Sequence, residues 1–196
     1  MISIVATGGA NITSIRAALK RLGRAAEVTF DPVTIKKSRH VILPGVGAAG
    51  NAMQRLQARG LVDVLKELTQ PVLGICLGMQ LLFEGSAEES EVNCLAVLKG
   101  RAERLSGGEG PVPHMGWNQI NALKKSDLLS NVDSDEWFYF VHSYAAPVNG
   151  GTVAITNYGQ EFASVVEQKN FFGTQFHPER SGDAGSRIFK NFLAFE

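Results

Sequence analysis

Apolar and polar positions divide this chain into two halves of different rhythm. In the first half, short apolar runs alternate with amphipathic stretches. Ile2 to Ala6 reads as a buried strand. Asn11 then offers a helix cap, and Ile12, Ile15, Leu19 and Leu22 recur at helical spacing until Gly23 stops them. Ala26 to Phe30 is a second strand, closed by Asp31-Pro32, and His40-Val41-Ile42-Leu43 is a third. Ala48 to Leu68 is helical in two pieces broken near Gly60, and Val72 to Ile75 is a fourth strand. Such β-α alternation predicts a parallel sheet covered by helices on both faces.

The rhythm changes near Gly85. Ser86 to Asn93, with Glu88, Glu89 and Glu91, reads as a solvated surface loop. Short alternating strands follow: 95–98, 102–105, 117–120, 137–144, 152–156, 164–167 and 171–176. Gly107-Gly108, Asn149-Gly150-Gly151 and Lys169-Asn170 separate several of them. This half is antiparallel at least in part. A closing helix from about Asp183 to Phe195 carries the stripe Ile188, Phe189, Phe192 and Leu193. No repeat or linker interrupts the 196 residues, which predicts a single domain over 1–196.

Composition removes several classes of function. Lys+Arg and Asp+Glu are each 19, so the formal net charge is zero and no basic stripe recommends nucleic acid. The apolar runs are too short to span a bilayer, and Met1 to Val5 lacks the basic start of a signal peptide. Only Cys76 and Cys94 are present, which predicts neither a disulfide framework nor a metal site and fits a reducing cytoplasm.

One of those cysteines stands in singular company. Gly74-Ile75-Cys76-Leu77-Gly78-Met79-Gln80 follows a strand and precedes a helix, the arrangement of a nucleophile elbow. The tight turn excludes side chains at the flanking glycines, and a helix start favours a thiolate. Taken alone, the same pattern also suits a buried cysteine in a strand–helix corner. A nucleophile needs a base and an orienting group. Gln175-Phe176-His177-Pro178-Glu179-Arg180 ends an apolar strand, and residues two apart on extended chain share a side, so His177 and Glu179 are placed to act together. The amide of Leu77 and a second amide from Pro44-Gly45-Val46-Gly47, at Val46, would hold an oxyanion. Gly45 to Gly50 also spells G-x-G-x-x-G, but it follows the third strand and lacks the acidic residue of a dinucleotide site, so no cofactor is expected. His40 reads as a satisfied strand-end residue, His114 and His142 as structural or supporting, and Cys94 as inert.

With these residues assembled, the chain resembles the class I, triad-type glutamine amidotransferases along essentially its whole length. Pro113-His114-Met115-Gly116-Trp117-Asn118 and Tyr139-Phe140-Val141-His142-Ser143-Tyr144 narrow the resemblance to the glutaminase subunits of imidazole glycerol phosphate synthase. The resemblance implies an α/β, three-layer, flavodoxin-like fold with a mixed, mainly parallel central sheet and an additional antiparallel portion in the C-terminal half. It implies Cys76, His177 and Glu179 as the triad, and Gly47, Gln80, Ser143 and Tyr144 around glutamine. It further implies a heterodimer with a (β/α)8 cyclase touching Asn11, Trp117, Tyr139 and Arg180, and a glutaminase that is sluggish without that cyclase. Thr7-Gly8-Gly9-Ala10-Asn11 departs from the Asp-Tyr-Gly first loop common in the family. Two other readings remain at this level: a glutaminase feeding a different synthase, and a non-catalytic flavodoxin-like binding protein.

Overall fold

A computed structural model describes residues 1–6, 11–88, 91–108 and 110–196. The departing stretch Thr7–Ala10 lies outside the described residues, whereas Asn11 is within them.

The first half folds as alternating elements: β1 (Ile2–Val5), α1 (Ile12–Arg21), β2 (Ala26–Thr29), α2 (Pro32–Lys37), β3 (His40–Gly45), α3 (Ala49–Ala58), α4 (Leu61–Lys66) and β4 (Val72–Cys76). Gly60 does break the long helical stretch, because it adopts the left-handed conformation (φ 62°) that a side chain disfavours. The helix α2 was not anticipated. Asp31-Pro32 closes β2 but also starts this helix: Asp31 accepts from the Thr34 amide at 2.8 Å and Pro32 occupies the first turn.

A single turn, α5 (Leu77–Gln80), follows β4. The second half then runs β5 (Phe83–Ser86), β6 (Val92–Asn93), β7 (Leu98–Arg104), β8 (His114–Gln119), β9 (Asn121–Ala122), β10 (Trp137–His142), β11 (Tyr144–Ala145), β12 (Thr152–Asn157), β13 (Glu161–Gln168), β14 (Phe171–Thr174) and α6 (Gly182–Phe192). The expected strand 95–98 is strand only at Leu98, which begins β7; β7 continues through 102–104 of the next expected strand, with a register shift where Gly100 takes φ 99°. The expected strand 137–144 divides at Ser143, so that β10 and β11 join different sheets.

Eight strands form the central sheet in the order β2-β1-β3-β4-β14-β13-β12-β9. Its first four neighbour pairs are parallel and its last three antiparallel. The inner strands β1, β3 and β4 are buried throughout, as strands covered on both faces must be. Alternate side chains feed two separate cores. Ile42, Leu73 and Ile75 pack with α1 and α6 on one face; Val41, Leu43 and Val72 pack with α2, α3 and α4 on the other. Two smaller sheets complete the fold: β11-β7-β5-β6 and the two-stranded ribbon β10-β8.

This topology brings the carboxyl ends of β3, β4 and β14 to one edge. Gly45 pairs with Cys76, Ile75 pairs with Thr174, and His177 comes three residues later. At that edge β3 and α5 approach so closely that a Cβ on Gly78 would collide with the Leu43 carbonyl. Gly78→Ala should therefore cost about 3 kcal/mol or prevent folding. Gly150→Ala, where a Cβ meets nothing within 4 Å, should change stability by less than about 0.5 kcal/mol. Urea unfolding of the two variants checks the contrast.

Candidate active site

The elbow is built by exclusion of side chains. Cys76 has φ 53° and ψ −113°, a conformation that costs a non-glycine residue about 1–3 kcal/mol. Tight neighbours hold it there. A Cβ on Gly74 would lie 2.6 Å from the Gly78 oxygen, and one on Gly45 would lie 2.5 Å from the Gly78 nitrogen. The helical segment behind the sulfur is only the turn Leu77–Gln80, shorter than the motif suggests. What it offers the sulfur is its first free amides rather than a long dipole.

His177 leaves β14 and faces the same space. Its Nδ1 is 2.7 Å from Glu179 Oε1, and both side chains are buried. The pairing does not arise from extended alternation. Pro178–Arg180 is a single 3-10 turn that folds the carboxylate back beneath the ring. The ring backbone is clamped to the ribbon: the His177 amide donates to the Tyr139 carbonyl at 2.9 Å, and Ser181 Oγ donates to the His177 carbonyl at 2.7 Å. Asn11 occupies the N-cap position of α1 without capping it. Its amide instead donates to Glu179 Oε1 at 2.6 Å and lies 3.0 Å from His177 Nδ1.

Among the described residues, His177 Nε2 is buried with no hydrogen-bond partner. The Cys76 thiol is directed instead at the Val141 carbonyl, 3.8 Å away. Burial opposes charge on His177. The charge of the nearby Cys76 sulfur, joined by Glu179, outweighs that effect and lifts the imidazole to about 10. The resting site thus holds an imidazole raised far enough to carry its proton at neutral pH.

These groups line a cavity of about 470 Å³, a size suited to a small amphipathic ligand. Asn11, Val46, Gly47, Leu77, Gln80, Ser143, Tyr144 and Arg180 all contribute to its wall. Glu179 sits behind His177. Trp117 and Tyr139 lie outside the cavity on the β8–β10 ribbon, in edge-on contact at 5.9 Å, with Arg180 over the Tyr139 ring at 5.1 Å. Of the four residues expected to meet a partner, three therefore form one cluster, whereas Asn11 is spent on the histidine–carboxylate pair.

Two polar residues of the site escaped the sequence reading. Glu88 is not a free loop residue: it lines the cavity and accepts from the Ala49 amide at 2.7 Å. Its only advance signal was its position twelve residues beyond the cysteine in an otherwise acidic loop. Gln175, fully buried, directs its Nε2 at the Cys76 sulfur from 3.7 Å. The other histidines are also placed. His40 Nε2 is 3.0 Å from the Phe195 carbonyl. His142 Nδ1 lies 2.9 Å from the Tyr144 carbonyl, and its Nε2 lies 3.1 Å from His114 Nδ1. Cys94 is half-buried, and burial pushes its thiol up to about 11. Among the described residues no helix is long and apolar enough to cross a membrane, and no group of three metal-ligating side chains occurs.

The buried histidine pair generates a pH dependence. Burial holds His142 down at about 3 and His114 at about 4, so both stay neutral in the folded chain. The unfolded chain protonates both near pH 6.5. Unfolding in acid then takes up protons, and stability should fall as pH drops below about 6.5, by on the order of 2 kcal/mol per histidine at pH 5. His177 acts in the opposite sense, but its contribution is already complete below pH 6.5. Melting temperatures from pH 7.5 to 5 should therefore decline, and His142→Leu should flatten the decline.

The comparisons with known proteins agree with this geometry. The chain matches the family Glutamine amidotransferase class-I over residues 4–195. It is 49% identical to the imidazole glycerol phosphate synthase subunit HisH of Buchnera aphidicola, over 98% of each chain. It is 48% identical to the protein named subunit HisH 2 of that synthase in Legionella pneumophila strain Lens, over 100% of this chain and 98% of that one. Among solved structures, a glutamine amidotransferase superimposes with a TM-score of 0.73 at 21% identity, covering 98% of this chain and 96% of the other.

Proposed function

The chain belongs to the class I glutamine amidotransferases, and within them to the HisH subunits of imidazole glycerol phosphate synthase; from that premise we propose the reaction, the roles of its residues and its partner. The chain, acting as one amidotransferase domain, hydrolyses glutamine to glutamate and ammonia. It passes the ammonia to a (β/α)8 cyclase that forms imidazole glycerol phosphate and an aminoimidazole carboxamide ribotide in histidine biosynthesis. The cytoplasm, where thiols stay reduced, is the compartment that suits a cysteine nucleophile.

The observation that carries this reading is a strained cysteine on the wall of the same cavity as a histidine, one of whose nitrogens rests on a buried carboxylate while the other has no partner among the described residues. Cys76 Sγ attacks the side-chain amide carbon of glutamine as a thiolate, its proton already held on His177. Glu179, itself held by Asn11, keeps the ring oriented and stabilises its charge. The amides of Val46 and Leu77 take the oxyanion. The tetrahedral adduct collapses, His177 returns the proton to the leaving nitrogen, and ammonia departs from a thioester. Water, deprotonated by His177, then attacks the thioester carbon. Glutamate leaves and the thiol is restored. Glu88, fixed by the Ala49 amide, supplies the negative group for the ammonium end of glutamine. Gly47, Gln80, Ser143 and Tyr144 form the rest of the wall.

Transfer of ammonia needs a dry route, because ammonia in water is mostly protonated and unreactive. The ribbon offers the surface on which such a route would be closed. Its inner face buries Phe138, Phe140 and His142, whereas its outer face exposes Met115 (64%), Trp117 (52%) and Trp137 (53%) beside Tyr139. Val141 and Arg180 reach from this face to the cavity wall, so an occupant of the face would sit beside the site. Large exposed aromatics in one patch are the usual anchors of an interface.

The decisive assay supplies the purified cyclase with its nucleotide substrate and glutamine. Imidazole glycerol phosphate should form, and Cys76→Ala should abolish formation from glutamine while leaving formation from added ammonia intact. Glutamine turnover without that product would assign the chain to another synthase; no turnover at all would leave a binding protein. Glu88→Gln should raise KM for glutamine at least tenfold with a smaller change in kcat. Trp117→Ala should weaken binding to the cyclase about thirtyfold, read by titration calorimetry.

A further inference from the structure

The buried polar side chains around the sulfur form a chain whose directions are fixed by chemistry. The Tyr144 carbonyl can only accept. Gln80 therefore presents its NH2 there, at 2.6 Å, and His142 presents Nδ1–H, at 2.9 Å. The same Gln80 nitrogen lies 2.9 Å from Gln175 Oε1, so Gln175 must offer its oxygen to Gln80. Its NH2 is left for one neighbour, the Cys76 sulfur at 3.7 Å. On the other side, His142 Nε2 must accept, so His114 donates from Nδ1 at 3.1 Å. Gln80, Gln175, His114 and His142 are all buried.

We propose that Gln175 is a catalytic residue whose side-chain N–H donates to the Cys76 sulfur and stabilises its thiolate, and that Gln80 and the His142–His114 pair are positioning residues that hold this donor in place through the Tyr144 carbonyl. The proposal rests on Cys76 being the nucleophile. A hydrogen bond to an ionised acceptor is stronger than one to its neutral form, so a fixed donor favours the thiolate over the thiol. Because His114 and His142 lie on the inner face of the ribbon, the donor is tied to the same two strands whose outer face exposes the aromatic patch.

The test is the pH dependence of iodoacetamide alkylation at Cys76, read by peptide mass in a Cys94→Ala background, together with glutamine turnover in the complex with the cyclase. His177, Glu179, Glu88, Arg180, His142 and Tyr144 are the titratable groups around the sulfur, and Gln175→Met leaves all of them in place. Gln175→Met should raise the alkylation midpoint by about one pH unit. It should lower kcat at least tenfold and leave KM for glutamine within about twofold. Gln175→Glu keeps the shape, replaces the donor by a carboxyl group and should raise the midpoint further. His142→Leu should give a smaller upward shift in the same direction, and His142→Asn, which restores a donor at the Nδ1 position, should reverse it. An unchanged midpoint in a folded Gln175→Met protein overturns the proposal. If that variant does not fold, an unchanged or lowered midpoint in Gln175→Glu does so. A parent protein that turns over no glutamine would instead overturn the amidotransferase reading itself.

Discussion

The close approach of three backbones at Gly45, Gly74 and Gly78 governs the rest of this structure. Cys76 sits at φ 53°, where a side chain is unwelcome, and nothing in its own sequence stabilises that conformation. It persists because β3, β4 and α5 meet with no room for a Cβ at any of the three glycines. The strain is carried by two hydrophobic cores, one on each face of the sheet, that fix the strands relative to each other. Stability is thereby converted into position: the packing that holds the sheet together also aims the sulfur at the cavity.

The second constraint is the pairing of the buried polar groups near the sulfur, His177 Nε2 and Glu179 Oε2 excepted. Asn11 answers it for Glu179, Ser181 for the His177 backbone, and Tyr144 for Gln80 and His142. One of these links, His142 to Tyr144, starts in the β8–β10 ribbon, and the His177 amide donates to the Tyr139 carbonyl of the same ribbon. The ribbon is thus two surfaces in one. Its inward side chains are histidines and phenylalanines packed beside the site, and its outward ones are exposed tryptophans and a methionine.

Much of the architecture was legible because it depends on local rules. The 3.6-residue spacing of Ile12, Ile15 and Leu19, the uninterrupted apolar runs of β3 and β4, and the glycines about Cys76 each specify one conformation with little help from elsewhere. The misreadings have equally specific causes. Asp31-Pro32 satisfies the rules for both a turn and a helix start, and only the Thr34 amide decides between them. The strand expected at 95–98 starts only at Leu98, and Gly100, at positive φ, shifts the register of β7 without ending it. His177 and Glu179 were paired correctly for an incorrect reason, since a 3-10 turn rather than an extended strand joins them. Glu88 and Gln175 were invisible as site residues because their meaning is purely tertiary: one is defined by the start of α3, the other by a glutamine ninety-five positions away.

The central claim is that Cys76 is the one residue that reacts covalently with the amide-bearing end of glutamine. A diazo ketone analogue of glutamine, applied to the complex with the cyclase and followed by peptide mapping, tests it most directly. The account predicts a stoichiometric adduct on the Cys76 peptide and none on Cys94. An adduct elsewhere, or full labelling of a Cys76→Ala chain, would contradict it.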